Sequence, residues 1–354
     1  MNFDSVTHIQ IETSSICNAA CPQCLRESKN GDYSFFKQTY IPTNFYSNRI
    51  PDQVYNNLKS IEFCGVMGDP CTAPNFIDIC RIIKSKNPNI QITISTNGGM
   101  RSPDWWAELA SVLTSKDYVK FCIDGLEDTN WIYRVNVRWT KLIENAKAFI
   151  SAGGYAHWQF IPFKHNEHQI TDAEVFSKEL GFKNFFIVHN NRFLTDALLG
   201  VPPAKGANGL LLEPPTSEEE QHVFLDKKDL DMFNDHVIWM QQAEKSNIAC
   251  QAINKKELYI DAETHLFPCC MTAAAKFTLD PSEKNDGYFN LWNAHGGDNI
   301  KLSLNSWDNI LGGKFFNQIQ DSWHKKFGEG RLIVCSGVCS ESEVIFTSFD
   351  NRKN

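Results

Sequence analysis

Along its first 195 or so residues the chain alternates short β-rich runs with longer stretches of helical period. Six such runs stand out, at His8–Thr13, Ile61–Cys64, Gln91–Thr96, Tyr118–Ile123, His157–Phe163 and Asn184–His189. Gln91-Ile92-Thr93-Ile94-Ser95 alternates cleanly, so one strand face is apolar and the other polar. Between the runs lie helices with readable starts. Ser102-Pro103-Asp104 offers an N-cap, a proline in the first turn and an acid beside it, and Leu109, Val112 and Leu113 follow at helical spacing. Pro74 precedes Ile79, Ile82 and Ile83, and Thr140 precedes Leu142, Ile143, Ala146, Phe149 and Ile150. Strands joined by crossover helices predict a parallel sheet curled into a partial or full barrel. The expected fold class is therefore α/β, a partial (β/α)6 TIM-like barrel.

From Thr195 to Glu220 this rhythm breaks at Pro202, Pro203, Pro214 and Pro215 and the acidic run Glu218-Glu219-Glu220. The expected organisation is a core over residues 1–195, a linker over 196–235 and a small α+β domain over 236–354. In that last part Leu258-Tyr259-Ile260 and the segment running to Pro268-Cys269-Cys270 flank a polar turn at Asp261–Thr264, the pattern of a β-hairpin. An insertion from Arg26 to Pro51, rich in Tyr and Phe, is expected to form a lid or substrate wall through Phe35, Phe36 and Tyr40.

Composition narrows the class. The chain has 354 residues, 34 basic against 42 acidic, for a formal net charge of −8. That balance favours neither bulk nucleic-acid binding nor an anionic membrane. No apolar run approaches the ~20 residues of a spanning helix. Met1-Asn2-Phe3-Asp4-Ser5 lacks a basic and then apolar signal layout, so a cytoplasmic protein is expected. The 12 cysteines sharpen the picture. In a long chain in a reducing compartment they point to metal sites rather than disulfides, and they gather towards both ends.

The first set is Cys17-Asn18-Ala19-Ala20-Cys21-Pro22-Gln23-Cys24, directly after the first strand. Three thiolates so close can hold three corners of an iron–sulfur cubane and leave one iron open. Structural zinc needs a fourth ligand nearby. The C-x3-C-x2-C spacing resembles that of the radical S-adenosylmethionine (SAM) superfamily, with Gln23 where the family usually has an aromatic. Later motifs resemble it in the same order: Gly65-Val66-Met67-Gly68-Asp69-Pro70 its Gly-Gly-Glu-Pro element, and Ser95-Thr96-Asn97-Gly98 its Ser-x-Asn-Gly turn. Asp124-Gly125 and the polar strand end containing Gln159 complete the series, and the likeness spans about residues 6–190. It implies a [4Fe–4S] cluster on Cys17, Cys21 and Cys24, and SAM contacts from Gly68, Asp69, Pro70, Ser95, Asn97, Asp124 and Gln159. It also implies a one-electron reductant such as flavodoxin or ferredoxin. Arg134, Arg138 and Lys141 are candidates to hold a substrate carboxylate or phosphate, with solvated helix-edge charges the favoured reading.

The second set, Cys250, Cys269, Cys270, Cys335 and Cys339, resembles the SPASM/twitch extension of the same superfamily, whose hairpin carries Pro-Cys or Pro-Cys-Cys. The turn here lacks the usual glycine and the closing pair is C-x3-C. The resemblance implies an auxiliary [4Fe–4S] cluster on Cys250, Cys269, Cys335 and Cys339, with zinc as the alternative for the same four thiols. Cys270 is then a candidate hydrogen donor to a substrate radical, or else it packs or is itself the ligand. The expected activity is modification of a peptide or protein residue by oxidation, crosslinking or epimerisation. A small-molecule dehydrogenase or cyclase acting on a nucleotide or aminocyclitol is the enzymatic alternative, and a non-catalytic iron–sulfur or zinc protein the other. The first strand begins almost at once, so no leader-binding domain is expected ahead of it.

Overall fold

A computed structural model of the chain describes residues 5–28, 31–188, 190, 192–193, 204–217, 243–278 and 287–341. Most of the expected linker, the residues before Ser5 and the end of the sixth expected strand at His189 lie outside these. Within 204–217, Lys205 and Leu211 form an antiparallel bridge.

The alternating runs become strands β1 (His8–Ile11), β2 (Ser60–Phe63), β3 (Gln91–Thr96), β4 (Tyr118–Cys122), β5 (Ala156–Phe160) and β6 (Asn184–Ile187). They join β7 (Glu257–Ile260) and β8 (Leu266–Phe267) in one sheet of order β6-β5-β4-β3-β2-β1-β7-β8. Every neighbouring pair is parallel except β7 and β8, the expected hairpin. Among the described residues β6 and β8 do not pair, so the sheet is an open, partial barrel. The hairpin lies on the edge of the core sheet: Gln10 of β1 stands in register with Glu62 on one side and Tyr259 on the other.

One sheet face is apolar, and helices cover it. α1 (Phe76–Lys86) buries Phe76 and Ile83, and Phe76 meets Phe63 of β2 at 5.0 Å between ring centroids. α2 (Pro103–Val112) starts as expected, with Ser102 Oγ accepting the Trp105 N–H at 3.3 Å. Its Trp106 packs on Phe121 of β4. α3 (Trp139–Ser151) adds Leu142 and Phe149, and α4 (Ile170–Leu180) brings Phe176 to Trp158. Each such buried side chain contributes roughly 1.5–3 kcal/mol by leaving water. The expected strand His157–Phe163 stops at Phe160 because the Ile161 N–H turns to the Asp124 carboxylate, at 2.7 Å, and Pro162 has no N–H to donate.

The other face is polar. Gln10 Nε2 donates to Glu62 Oε2 at 3.2 Å, and Lys120 Nζ reaches Glu62 Oε1 at 2.5 Å. On this face, beside β7, Phe267 stacks on Trp292 and meets Phe315. Trp292 belongs to α6 (Gly287–His295) and Phe315 to α7 (Lys314–Ser322). α5 (Cys270–Thr278) packs against α6 and against α8 (Ile333–Cys339). In the aromatic insertion, Phe35 and Phe36 join Leu25 and Met67 in a small apolar cluster, and both rings meet Phe277 of α5. Tyr40 is exposed. Among the described residues no helix is long and apolar enough to cross a membrane.

Candidate functional site

The cysteine loop leaves the end of β1 and folds back under its own hydrogen bonds. The Cys24 N–H donates to Cys21 O at 2.9 Å. The buried Arg26 closes the loop by donating to Ser15 O at 2.8 Å, with its guanidinium 4.1 Å over the Tyr33 ring. Three N–H groups converge on the sulfurs: Ala19 N–H and Asn97 Nδ2 on Cys17 Sγ, at 3.4 and 3.7 Å, and Arg134 Nη1 on Cys21 Sγ, at 3.6 Å. Burial pushes all three thiols up, Cys21 to about 12. Buried thiols of this kind become thiolates when a metal replaces the proton, and the N–H donors then stabilise the negative sulfur.

The turns after β2 and β3 interlock beside this loop. Asp69 is buried, and its carboxylate accepts from Thr96 Oγ1 at 2.9 Å, Asn97 N and Nδ2 at 2.8 Å, and the Cys71 N–H at 3.0 Å. Asn97 also donates to Asn18 Oδ1 at 3.0 Å, so it ties Asp69 directly to the cysteine loop. Pro70 opens the short turn behind Asp69. Gly68 is required by space, because a Cβ there would lie 1.9 Å from Ser14 O. α3 steadies the third turn from beneath, Asn145 Nδ2 donating to Gly98 O and Met100 O. Ser95 and Gln159 stand half-buried on β3 and β5, Gln159 in register with Cys122.

Asp124 at the end of β4 is fully buried and meets the cysteines through a partner. Its Oδ2 accepts from Arg134 Nε at 2.6 Å, while Arg134 Nη1 reaches Cys21. Arg134 is thus no solvated helix-edge charge. The short helix Asn130–Tyr133 delivers it inward, and although burial opposes its charge, Asp124 and Cys21 hold it protonated. Gln23, which stands in place of the expected aromatic, accepts from Asn190 Nδ2 at 2.5 Å and so pins the loop to the segment after β6.

Glu12 is a site residue that motif reading passes over, though it lies one step beyond the alternation of β1. Its Oε1 accepts from Met67 N at 2.5 Å and Gly68 N at 3.0 Å, which fixes the loop carrying Asp69. Burial pushes its carboxyl from 4.5 up to about 7, against those two N–H groups. A raised folded-state pKa means that stability is greatest below about 4.5 and is lost as pH rises through about 7. Glu12→Gln, which keeps the acceptor without the charge, is expected to remove a pH-dependent loss of about 3 kcal/mol across that window. Urea midpoints at pH 4.5 and 7.5 measure it, and equal slopes with pH in both proteins would exclude the assignment.

Among the described residues no group of three or more His, Cys, Asp or Glu is arranged to hold a single metal ion. The C-terminal cysteines nevertheless converge. Cys250, Cys269, Cys335 and Cys339 all line one apolar cavity of about 40 Å³, several times the ~10–15 Å³ a water needs. Trp323 lines it too, and its buried indole N–H has no hydrogen-bond partner among the described residues. A hydrogen bond from Cys339 lowers Cys250 to about 6 and raises Cys339 itself. Arg331 holds the walls together, its guanidinium donating to Ala243 O, Ser246 O and Trp323 O at 2.6–2.8 Å. Cys270 lies outside this lining. It opens α5 and packs on the main core.

Residues 11–172 match the Radical SAM superfamily. Structures of similar fold include Streptococcus suis SuiB bound to S-adenosylmethionine, at 16% identity over 94% of this chain and 77% of that one, with a TM-score of 0.52. SuiB bound to precursor peptide SuiA matches at 15% identity, covering 94% and 76%, with a TM-score of 0.50. Hexahistidine-tagged anSMEcpe with bound AdoMet matches at 14% identity, covering 97% and 91%, with a TM-score of 0.53. No curated protein matches the sequence.

Proposed function

We propose that this chain, built around a radical SAM domain at residues 11–172, is an enzyme that modifies a residue of a peptide or protein. Cys17, Cys21 and Cys24 hold a [4Fe–4S] cluster that binds SAM, and Cys250, Cys269, Cys335 and Cys339 hold an auxiliary one. The observation that carries this reading is the meeting of three thiols, Cys17 and Cys21 among them facing N–H donors, with the Asp69–Asn97 turn pair at one edge of an open parallel sheet. When bound, the cluster and SAM supply one-electron cleavage to a 5′-deoxyadenosyl radical that takes hydrogen from a substrate.

The chain's own residues bind, orient and exclude water. Asn97 and Arg134 donate towards Cys17 and Cys21, and so favour their thiolate forms. Gly68 lets its backbone approach closely, and Asp69, its carboxylate taken up by Thr96, Asn97 and Cys71, fixes the turn that presents that backbone. Ser95 and Gln159 offer polar groups from the same end of the sheet, and Asp124 acts by fixing Arg134. Around the second set, the four thiols, the apolar lining and the unpartnered Trp323 N–H suit a group bearing negative sulfur. Cys270, outside the lining of that cavity, is the candidate hydrogen donor to a substrate radical. Its S–H bond breaks as the substrate C–H forms, and one electron from a flavodoxin- or ferredoxin-type donor with one proton from solvent returns the thiyl to the thiol.

The peptide reading is supported by fold likeness to a protein whose structure is bound to precursor peptide SuiA. It is tested by the yield of 5′-deoxyadenosine from the reduced, reconstituted enzyme. Mixed peptides are expected to raise that yield above the basal level, while nucleosides and aminocyclitols leave it there. The reverse pattern would replace the peptide by a small molecule.

A further inference from the structure

We propose that Gln10 and Tyr259 form an amide-recognition pair on the polar sheet face, Gln10 Oε1 accepting an N–H and the Tyr259 hydroxyl donating to the carbonyl of the same group. This rests on the enzyme reading above and names its substrate's chemistry.

Gln10 and Tyr259 are register partners on β1 and β7, so their side chains leave the sheet on one face. Gln10 is 4% exposed and Tyr259 fully buried, yet Gln10 Oε1 and the Tyr259 hydroxyl have no hydrogen-bond partner among the described residues. Buried polar atoms are rarely left so, and such exceptions call for a ligand or a bound water. The orientation of the Gln10 amide is fixed by chemistry. Its NH2 must face the Glu62 carboxylate, itself held by Lys120, which leaves the carbonyl oxygen as a pure acceptor. Burial, to which the charges of groups such as Glu12 and Asp261 add, raises the Tyr259 phenol well above its ordinary range, so it stays a neutral O–H donor. One acceptor beside one donor complements an amide, which carries an N–H and a C=O side by side. A carboxylate would have nothing to give Gln10, and an ammonium nothing to take from Tyr259.

The test is fragment binding to the full chain by saturation-transfer NMR, with N-methylacetamide, propionamide and methyl acetate as probes. Tyr259→Phe and Gln10→Met are each expected to weaken N-methylacetamide binding roughly 3–10-fold, the loss of one hydrogen bond. Methyl acetate, which lacks the N–H, is expected to bind the unmodified protein more weakly and to ignore Gln10→Met. Preference for N-methylacetamide identifies a peptide backbone, and preference for propionamide an Asn or Gln side chain. Tyr259→Phe is expected to melt no lower than the unmodified protein, since it removes an unpartnered buried atom. A lower melting temperature with unchanged binding would mean that a structural water holds the hydroxyl, and would overturn the proposal. Unchanged binding in both variants would overturn it as well. Formation of 5′-deoxyadenosine by the unmodified protein is read separately. If it is absent while the amide contrasts persist, the enzyme reading falls and the recognition pair stands.

Discussion

Alanine at Cys17, Cys21 and Cys24 together is expected to reduce the iron of the anaerobically reconstituted chain from about eight atoms to about four, and SAM cleavage to background. The three thiols lie in one loop whose N–H donors aim at sulfur, so no other group among the described residues replaces them there. On the proposed reading the four irons that remain are held by Cys250, Cys269, Cys335 and Cys339, which line a separate cavity. Iron and acid-labile sulfide per chain, with zinc measured alongside, decide the matter. About four irons falling to none, with zinc present in both proteins, would make the C-terminal site structural zinc and remove its electron-accepting role.

Methionine at Arg134 is expected to destabilise the fold by roughly 3–5 kcal/mol, because it strands the fully buried Asp124 carboxylate without its partner. Burial already raises Asp124 above its ordinary value, and loss of the guanidinium raises it further. A folded carboxyl that holds its proton more tightly than the unfolded one loses stability as pH rises. The deficit of the variant is therefore smallest in acid and grows towards neutrality. Adding Asp124→Asn is expected to recover part of it at neutral pH by removing the unpaired charge. Denaturant midpoints for the single and double variants at pH 5 and pH 7.5 check both statements. A deficit independent of pH, or no recovery in the double variant, would assign Arg134 to packing alone.

What the sequence makes legible follows from locality. The alternation of Gln91–Ser95 and the Ser102-Pro103 start are each written within about ten residues, and each has its counterpart in the fold. Pairings across the chain leave no such mark. Nothing near Tyr259 announces that its strand adds to the edge of β1, since the partner lies far away in sequence. Arg134 looks like a surface charge because its inward turn is set by Asp124 on another element. Glu12 reads as a strand-end polar residue until the loop after β2 folds onto it. The strand that ends at Phe160 is cut short by a carboxylate thirty-odd residues earlier, which no local propensity encodes.

The central claim is that the loop of Cys17, Cys21 and Cys24 supports reductive cleavage of SAM. Its most direct test is anaerobic incubation of the reconstituted, unmodified protein with dithionite and SAM, followed by quantitation of 5′-deoxyadenosine and methionine. Equal amounts of both, above those from the Cys17/Cys21/Cys24 alanine variant, are predicted. An intact cluster with no 5′-deoxyadenosine in either protein would contradict the account and leave an electron carrier on this scaffold.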